Sequence, residues 1–170
     1  MLKSYHPEFL TATILNWQHL LSDDFKQIVV NTMSWLVHQK RCRIYGFVIM
    51  PNHIHLLWKI EDGFERAKVQ GALLSFTAHE FKKRINGDIE QLKNYRVNLV
   101  DRMFQFWQRD CMIKECWGEE FLKQKLEYIH KNPLQPHWNL ASLSEDYYWS
   151  SASFYEDGES SFDFITHYKE

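Results

Sequence analysis

The chain has 170 residues, which suits one compact domain, and 45% of them are apolar, which is enough for a hydrophobic core. Lys and Arg total 20 against 22 Asp and Glu, so the formal net charge of -2 excludes a histone-like protein that binds nucleic acid by bulk positive charge. We expect a single domain over residues 1–170. The three cysteines include no CxxC pair, so we also expect a reducing cytoplasm and no disulfides. The chain has no long apolar run, so neither a secretory signal nor a membrane span is expected.

The first third of the chain predicts a strand, a helix and a β-hairpin. β-Branched and aromatic residues predict a strand over 9–17, and apolar residues at helical spacing predict an amphipathic helix from 23 to about 40. The apolar run 42–50 predicts a buried strand, Pro51-Asn52 a turn, and residues 53–60 a second strand. Alternation along this second strand places four side chains on the core face, Ile54, Leu56, Trp58 and Ile60. The opposite face carries His53, His55, Leu57 and Lys59.

The remaining elements complete a recognisable order. Residues 65–86 predict a helix that ends at Asn86-Gly87, with a buried stripe formed by Leu74, Thr77, Ala78, Phe81 and Ile85. Residues 88–102 are polar and mixed, 104–116 predict a strand or strand pair, and 118–132 predict a helix with Leu122, Leu126 and Ile129 towards the core. Residues 134–170 are aromatic and turn-rich, and we expect a wrapping extension. The order β-α-β-β-α-β-α predicts an α+β, ferredoxin-like fold with a mainly antiparallel sheet and packed helices.

His53 and His55, two positions apart on the predicted strand, are the clearest local indication of a binding site. Side chains at positions i and i+2 of a strand point to the same side, so both imidazoles can bind one cation. Two histidines on a solvated strand face would give the same pattern, so the pair alone does not identify a metal site.

A second feature lies in the last predicted helix. Tyr128 and Asn132 are four residues apart, hence one above the other, at the flank of the apolar stripe. An ordinary boundary tyrosine with its hydroxyl in water would occupy the same position. Lys125 lies near the same edge of the helix.

The two features together suit phosphodiester chemistry. A phenol has a pKa of about 10 and is a poor nucleophile at neutral pH. Two imidazoles and an amide oxygen supply three ligands for a divalent cation, and these donors admit Mg2+, Mn2+ or a transition metal. A tyrosine beside such a cation can attack phosphorus and keep the bond energy in a phosphotyrosine link.

Four segments resemble, in order, the motifs of one family. Residues 45–57 (YGFVIMPNHIHLL) closely resemble the signature of IS200-like, single-tyrosine HUH transposases, and residues 128–133 (YIHKNP) resemble their catalytic-helix motif. Residues 106–110 (FWQRD) and 146–151 (DYYWSS) are similar to the REP-associated tyrosine transposase branch. Residues 134–138 (LQPHW) depart from the commoner small-residue and glycine pattern, which bears on details of DNA recognition.

The resemblance implies an RRM-like HUH endonuclease fold and an activity. His53, His55 and Asn132 would hold Mg2+ or Mn2+, and Tyr128 would be the nucleophile. The substrate would be single-stranded DNA near an imperfect hairpin, cleaved to a 5'-phosphotyrosine and a 3'-hydroxyl during transposition or the processing of REP-like repeats. Insertion-sequence members form dimers and REP-associated members can act as monomers, so a monomer or homodimer, associated with the nucleoid, is expected.

Contacts to DNA are predicted from charge and aromatic residues. The candidates for phosphate contacts are Lys82, Lys83, Arg84, Arg109 and Lys125, although the first three also suit a solvated helix end. Aromatic residues make up 16% of the chain, and Trp17, Trp107 and Trp138 are candidates either for base stacking or for core packing.

Two alternatives to the nuclease remain open at this point. The first is a domesticated protein that binds DNA hairpins without cutting them. The second is a different histidine-based phosphoesterase, but Leu57 occupies the third position of an HxHxH motif and no second HxT or HxS motif is evident.

Overall fold

The computed structural model describes residues 4–170, in which α-helices pack on a β-sheet. Four strands make a single antiparallel sheet in the order β2-β3-β1-β4. The elements are β1 (Glu8–Thr13), α1 (Asp23–His38), β2 (Cys42–Ile49), β3 (His53–Ile60), α2 (Arg66–Ile85), α3 (Ile89–Lys93), β4 (Met112–Glu115), α4 (Glu119–Lys131) and α5 (Ala152–Glu156), with short 3-10 helices at Leu15–Trp17, Asn132–Leu134 and Ser144–Asp146. The α+β class and the predicted element order are confirmed. None of the helices in residues 4–170 combines the length and apolar composition that a membrane crossing requires.

The sheet buries two apolar layers, one on each face. Strand alternation sends Ile54, Leu56 and Trp58 to the face where the α1 and α2 side chains complete the larger core. In α2 the predicted stripe is partly wrong, because Leu74 and Ala78 are only half-buried. The side chains that α2 buries are instead Val69, Leu73, Thr77, Phe81 and Ile85.

The opposite face of the sheet receives α4. Phe9 and Leu57, which are directly paired across β1 and β3, are fully buried there with Leu126 and Ile129 of the helix. His53 and His55 belong to this same face, as alternation along β3 requires. The helix that carries Tyr128 and Asn132 therefore packs on the face that carries the histidine pair.

A bulge in β2 allows this helix to approach closely. The register between β2 and β3 shifts between Ile44 and Gly46, which places both Tyr45 and Gly46 towards α4. A Cβ atom at Gly46 would lie 2.4 Å from Leu126 Cδ2 and 3.2 Å from Ser151 Oγ, distances that no side chain can occupy without displacing its neighbours. The absence of a side chain at position 46 thus sets how near α4 lies to the sheet.

Two strand predictions need correction. The first strand ends at Thr13 rather than 17, because Asn16 and Trp17 take left-handed backbone angles and residues 15–17 form a 3-10 turn. Between 104 and 116 only β4 is a strand, and Phe104 and Trp107 make isolated bridges instead of a continuous ladder. The polar segment 88–102, for which the sequence predicts no clear element, contains α3.

The segment that follows α4 covers the free edge of β2. Ile49 donates its amide to the carbonyl of Trp149 at 2.9 Å, Ser151 donates to Phe47 at 3.0 Å, and Thr166 donates to Ile44 at 2.9 Å. An uncovered edge strand exposes backbone donors and acceptors that favour aggregation. Residues 149–166 satisfy those groups along most of β2.

Ser151 joins three parts of the fold. Its Oγ accepts a hydrogen bond from the Phe47 amide at 2.9 Å and lies 2.8 Å from Nε2 of His130, a buried residue of α4. The hydroxyl can also donate to the Phe47 carbonyl at 3.3 Å. The resulting bonds connect the C-terminal segment, β2 and the candidate catalytic helix.

Removal of this hydroxyl is expected to destabilise the protein. Ser151→Ala leaves the Phe47 amide and the His130 ring without a partner in a buried position, so the free energy of unfolding should fall by about 1–3 kcal/mol. Urea denaturation followed by circular dichroism measures the change. Ser153→Ala, which removes a half-buried hydroxyl without a hydrogen bond in the described chain, is the matched control, and equal midpoints for the two variants would contradict the assignment.

Candidate active site where β3 begins

The histidine pair lies at the first residues of β3. His53 and His55 stand directly opposite Thr13 and Thr11 of β1, and their ring centroids are 4.7 Å apart. Both side chains are largely buried, His53 with 9% and His55 with 4% exposure. The pair is thus fixed on the rigid centre of the sheet, and a solvated strand face is excluded.

Each imidazole is held through its Nδ1 atom. His53 Nδ1 lies 2.7 Å from Asn52 Oδ1, and the Asn52 amide nitrogen in turn donates to the Trp17 carbonyl at 3.4 Å. Because a carboxamide oxygen only accepts, the His53 proton resides on Nδ1 and the lone pair on Nε2. His55 Nδ1 lies 2.8 Å from Thr11 Oγ1, which can accept in the same way. This pattern is typical of metal-binding histidines, whose second nitrogen is hydrogen-bonded.

Burial keeps both rings neutral. It lowers the pKa of His53 to about 4, an effect that the nearby His137 strengthens and the Asn132 amide opposes. Burial also lowers the pKa of His55 to about 3, with additional contributions from the charges of His53 and Lys125. Two unprotonated imidazoles are therefore available as ligands at any physiological pH.

Asn132 enters the same site from the end of α4. Its side chain is 3% exposed and adjoins His53, yet its Oδ1 has no hydrogen bond of normal geometry in residues 4–170. A buried carbonyl oxygen without a partner is unfavourable by about 1–3 kcal/mol, so such atoms in native proteins call for an explanation. A bound cation would give this oxygen a partner.

The chemistry of three donors here suits a divalent cation. Two imidazole nitrogens and one amide oxygen would leave coordination positions for phosphate oxygens and water, and such donors admit Mg2+, Mn2+ or another transition metal. No cluster of three His, Cys, Asp or Glu side chains occurs within residues 4–170. The Asn132 amide would therefore be the third ligand.

Metal binding gives a direct test of Asn132. Asn132→Ala is expected to weaken Mn2+ binding by at least about tenfold, because even the loss of outer groups around a metal weakens binding to that degree. Isothermal titration with MnCl2 measures it. Folding should be preserved, since the Oδ1 atom makes no hydrogen bond of normal geometry within residues 4–170. Asn94→Ala, at an exposed helix end, is the control, and an unchanged Kd for Asn132→Ala would remove Asn132 from the ligand set.

Tyr128 lies beside the histidine pair. Its ring centroid is 5.3 Å from that of His55 and 6.0 Å from that of Phe9, and the side chain is 45% exposed. One side of the phenol thus packs on the site while solvent, and hence a substrate, reaches the other. This arrangement differs from an ordinary boundary tyrosine, whose ring would not contact a buried histidine.

Lys125 is held next to the tyrosine by aromatic rings. Its Nζ lies 4.7 Å from the ring centroid of Phe9, 5.3 Å from that of Phe121 and 5.7 Å from that of Tyr128. The charge contributes to the lowered pKa of His55, which shows how near it lies to the pair. Lys125 forms no ion pair within residues 4–170, and a cation in this position favours binding of a phosphate.

The other predicted DNA-binding residues are dispersed. Lys83 pairs with Glu80 at 2.8 Å and Arg84 with Asp24 at 3.6 Å, so these two charges are partly neutralised. Lys82 and Arg109 form no ion pair in the described chain and line a groove of about 910 Å³ between α2 and residues 99–109. The structure thus brings Lys125 to the histidines, and it places the other four charges elsewhere.

Sequence reasoning missed two residues of the site. Thr11 faces His55 only because the β1–β3 register places them opposite, and a single sequence does not reveal strand register. Asn52 has a signal, since it directly precedes the histidine pair, but turn geometry alone accounts for an asparagine after Pro51.

Comparison with known proteins supplies the family. Residues 10–132 match the family described as "Transposase IS200 like", and this range contains the histidine pair, Tyr128 and Asn132. The chain belongs to the IS200-like transposase family. A comparison with curated protein sequences gives no match.

Two solved structures share the fold of this IS200-like transposase. One is a REP-associated tyrosine transposase bound to a REP hairpin, with a TM-score of 0.68 and 16% identity over 98% of this chain and 88% of that chain. The other, from Deinococcus radiodurans and assigned to the transposases, has a TM-score of 0.50 and 15% identity over 76% of this chain and 92% of that chain. At such identities the likeness concerns the fold.

Proposed function

We propose that this IS200-like transposase is a metal-dependent endonuclease and strand transferase that acts on single-stranded DNA beside imperfect hairpins. The observation that carries the proposal is the meeting of Tyr128 with His55 on one sheet face, with Asn132 and its unpartnered oxygen in the same site. The proposed catalytic residue is Tyr128, and the proposed metal ligands are His53, His55 and Asn132. Transposition or the processing of REP-like repeats near the nucleoid is the corresponding cellular role.

The proposed reaction is a transesterification. The Tyr128 oxygen attacks the scissile phosphorus, the phenolic proton passes to solvent, and the bond from phosphorus to the 3' oxygen breaks. The 3' oxygen leaves as a hydroxyl after protonation, and the 5' phosphate remains esterified to the tyrosine. Attack by another 3'-hydroxyl reverses the chemistry and joins the strands without ATP. When bound, Mg2+ or Mn2+ would polarise the phosphate and stabilise its developing negative charge.

The residues around the site support the steps of this reaction. Asn52 keeps the His53 lone pair on Nε2, Thr11 can do the same for His55, and burial keeps both rings unprotonated. Lys125 offers a fixed positive charge to the phosphate while the open side of Tyr128 admits the strand. Lys82 and Arg109 in the groove along α2 are the proposed phosphate contacts outside the site. Lys83 and Arg84 remain weaker candidates.

A hairpin partner has support from a relative. The REP-associated tyrosine transposase that shares this fold is bound to a REP hairpin, and 88% of that chain aligns with this one. The groove lined by Lys82 and Arg109 offers positive charge for a similar partner here. We propose the same class of DNA for this chain, acting as a monomer or homodimer.

Cleavage of labelled DNA tests the proposal. A panel of oligonucleotides that carry imperfect hairpins with single-stranded flanks is incubated with Mg2+, Mn2+ or EDTA, and products are resolved on denaturing gels. Metal-dependent appearance of a protein–DNA adduct and a shorter strand with a free 3'-hydroxyl is the expected result. Hairpin binding without cleavage across the panel would instead favour a hairpin-binding protein that has lost its nuclease activity.

A further inference from the structure

Trp17 is the one tryptophan whose side chain has no partner within residues 4–170. The indole is 62% exposed, with no ring, cation or hydrogen-bond contact in that part of the chain. Two other exposed tryptophans each have one partner: the Arg41 guanidinium lies 4.6 Å from the Trp35 ring centroid, and the His6 ring lies 3.8 Å from that of Trp117, which is 63% exposed. Of the three candidates for stacking, Trp107 is buried with its Nε1 donated to Thr77, and Trp138 packs among histidines. Of these three, Trp17 alone is exposed and free of ring contacts within residues 4–170.

The backbone under Trp17 is held in an unfavourable conformation. Asn16 and Trp17 have φ angles of 53° and 57°, in the left-handed region that bulky residues rarely adopt. Such angles persist only where the surrounding structure enforces them, and they concentrate at functional sites. Here the Trp17 amide bonds to the Ile14 carbonyl at 3.0 Å, and the Trp17 carbonyl accepts from Asn52.

The Trp17 backbone is linked to the active site through one residue. Asn52 bonds to the Trp17 carbonyl with its nitrogen and to His53 with its oxygen, so Trp17 adjoins the His53 end of the pair. Tyr128 adjoins the other end, at His55. A single strand whose phosphate lies at the histidines and that leaves the site past His53 would reach Trp17.

We propose that Trp17 is a stacking platform for one unpaired base of the bound strand. The inference rests on the proposed function, since it is the scissile strand that brings the base to this position. An aromatic face accepts any base, and such stacking contributes about 1–3 kcal/mol per base. Double-stranded DNA has no free base face, so the contact selects single strands and helps to hold the strand at Tyr128.

Binding measured without metal tests this inference separately from cleavage. The probe is a fluorescein-labelled oligothymidylate of about 16 nucleotides in EDTA, followed by fluorescence anisotropy. Trp17→Ala is expected to weaken binding by about 5- to 150-fold, and Trp17→Phe, which keeps an aromatic face, by less than about fivefold. Trp35→Ala, on α1, which packs on the sheet face opposite the histidine pair, is the control and should bind as the wild type does.

Further measurements separate stacking from damage to the fold. Trp17→Ala should keep the wild-type Mn2+ affinity, since its carbonyl still positions Asn52, and it should bind a duplex of equal length as the wild type does. Oligothymidylate binding unchanged in Trp17→Ala, or absent in the wild type, would overturn the inference. If stacking depends on Trp17 but no oligonucleotide is cleaved, the nuclease proposal fails while this one stands. If DNA is cleaved but Trp17→Ala binds oligothymidylate as the wild type does, this inference fails while the nuclease proposal stands.

Discussion

Tyr128→Phe is expected to abolish the covalent protein–DNA adduct and to reduce strand cleavage by at least about 10⁴-fold, which is the usual effect of removing a catalytic nucleophile. The substitution removes one oxygen atom and leaves the ring that packs on His55 and Phe9. Because the phenol is half exposed and its ring contacts remain, neither the fold nor the metal site should change. Denaturing gels with labelled DNA measure the adduct, and anisotropy measures hairpin binding, which should stay within about threefold of the wild type.

Tyr148→Phe provides the matched control for this experiment. Tyr148 is 53% exposed, similar to Tyr128, but its ring packs on Trp149 and Phe162, away from the histidine pair. That variant should form adducts at the wild-type rate. Adduct formation by Tyr128→Phe would show that another residue attacks the phosphate, and loss of adduct in both variants would point to a general effect on the fold.

Local patterns in the sequence predict each half of the site, and the resemblance to a known family predicts that the two halves meet. Strand alternation put His53 and His55 on one face, and helical periodicity put Tyr128 and Asn132 at one flank of the last long helix. The structure brings these two sets together because α4 packs on the histidine face, and this packing depends on the bulge and on Gly46 in β2. No local pattern in the chain specifies which face α4 covers, since either sheet face can receive an amphipathic helix.

Features that depend on long-range partners escaped prediction. The role of Ser151 requires Phe47 and His130, which lie 104 and 21 residues away. The predicted first strand extends to Trp17 because β-branched and aromatic residues continue past Thr13. In the structure, the left-handed backbone angles at residues 16 and 17 end the strand earlier. Strand propensity describes a preference for a pleated surface and yields to tertiary contacts of this kind.

Acid is expected to destabilise the metal-free protein well above the pH at which most carboxylates titrate. Burial lowers the pKa of His53 and His130 to about 4 and that of His55 to about 3. An unfolded chain binds protons on these side chains near pH 6.5, whereas the folded chain does not. Stability is therefore fully present above about pH 6.5 and is lost as the pH falls towards about 4, with a slope that approaches about 4 kcal/mol per pH unit.

Urea unfolding in EDTA between about pH 7.5 and 5 measures this slope. The double variant His53→Gln/His55→Gln leaves only His130 and should reduce the slope to about one third. Glu8, whose pKa is raised by burial, takes up a proton more readily in the folded state and opposes the loss at the acid end. An equal slope in wild type and double variant would assign the acid sensitivity to other groups. If the prediction holds, the burial that makes the fold sensitive to acid is also what keeps both imidazoles unprotonated and ready to bind a cation.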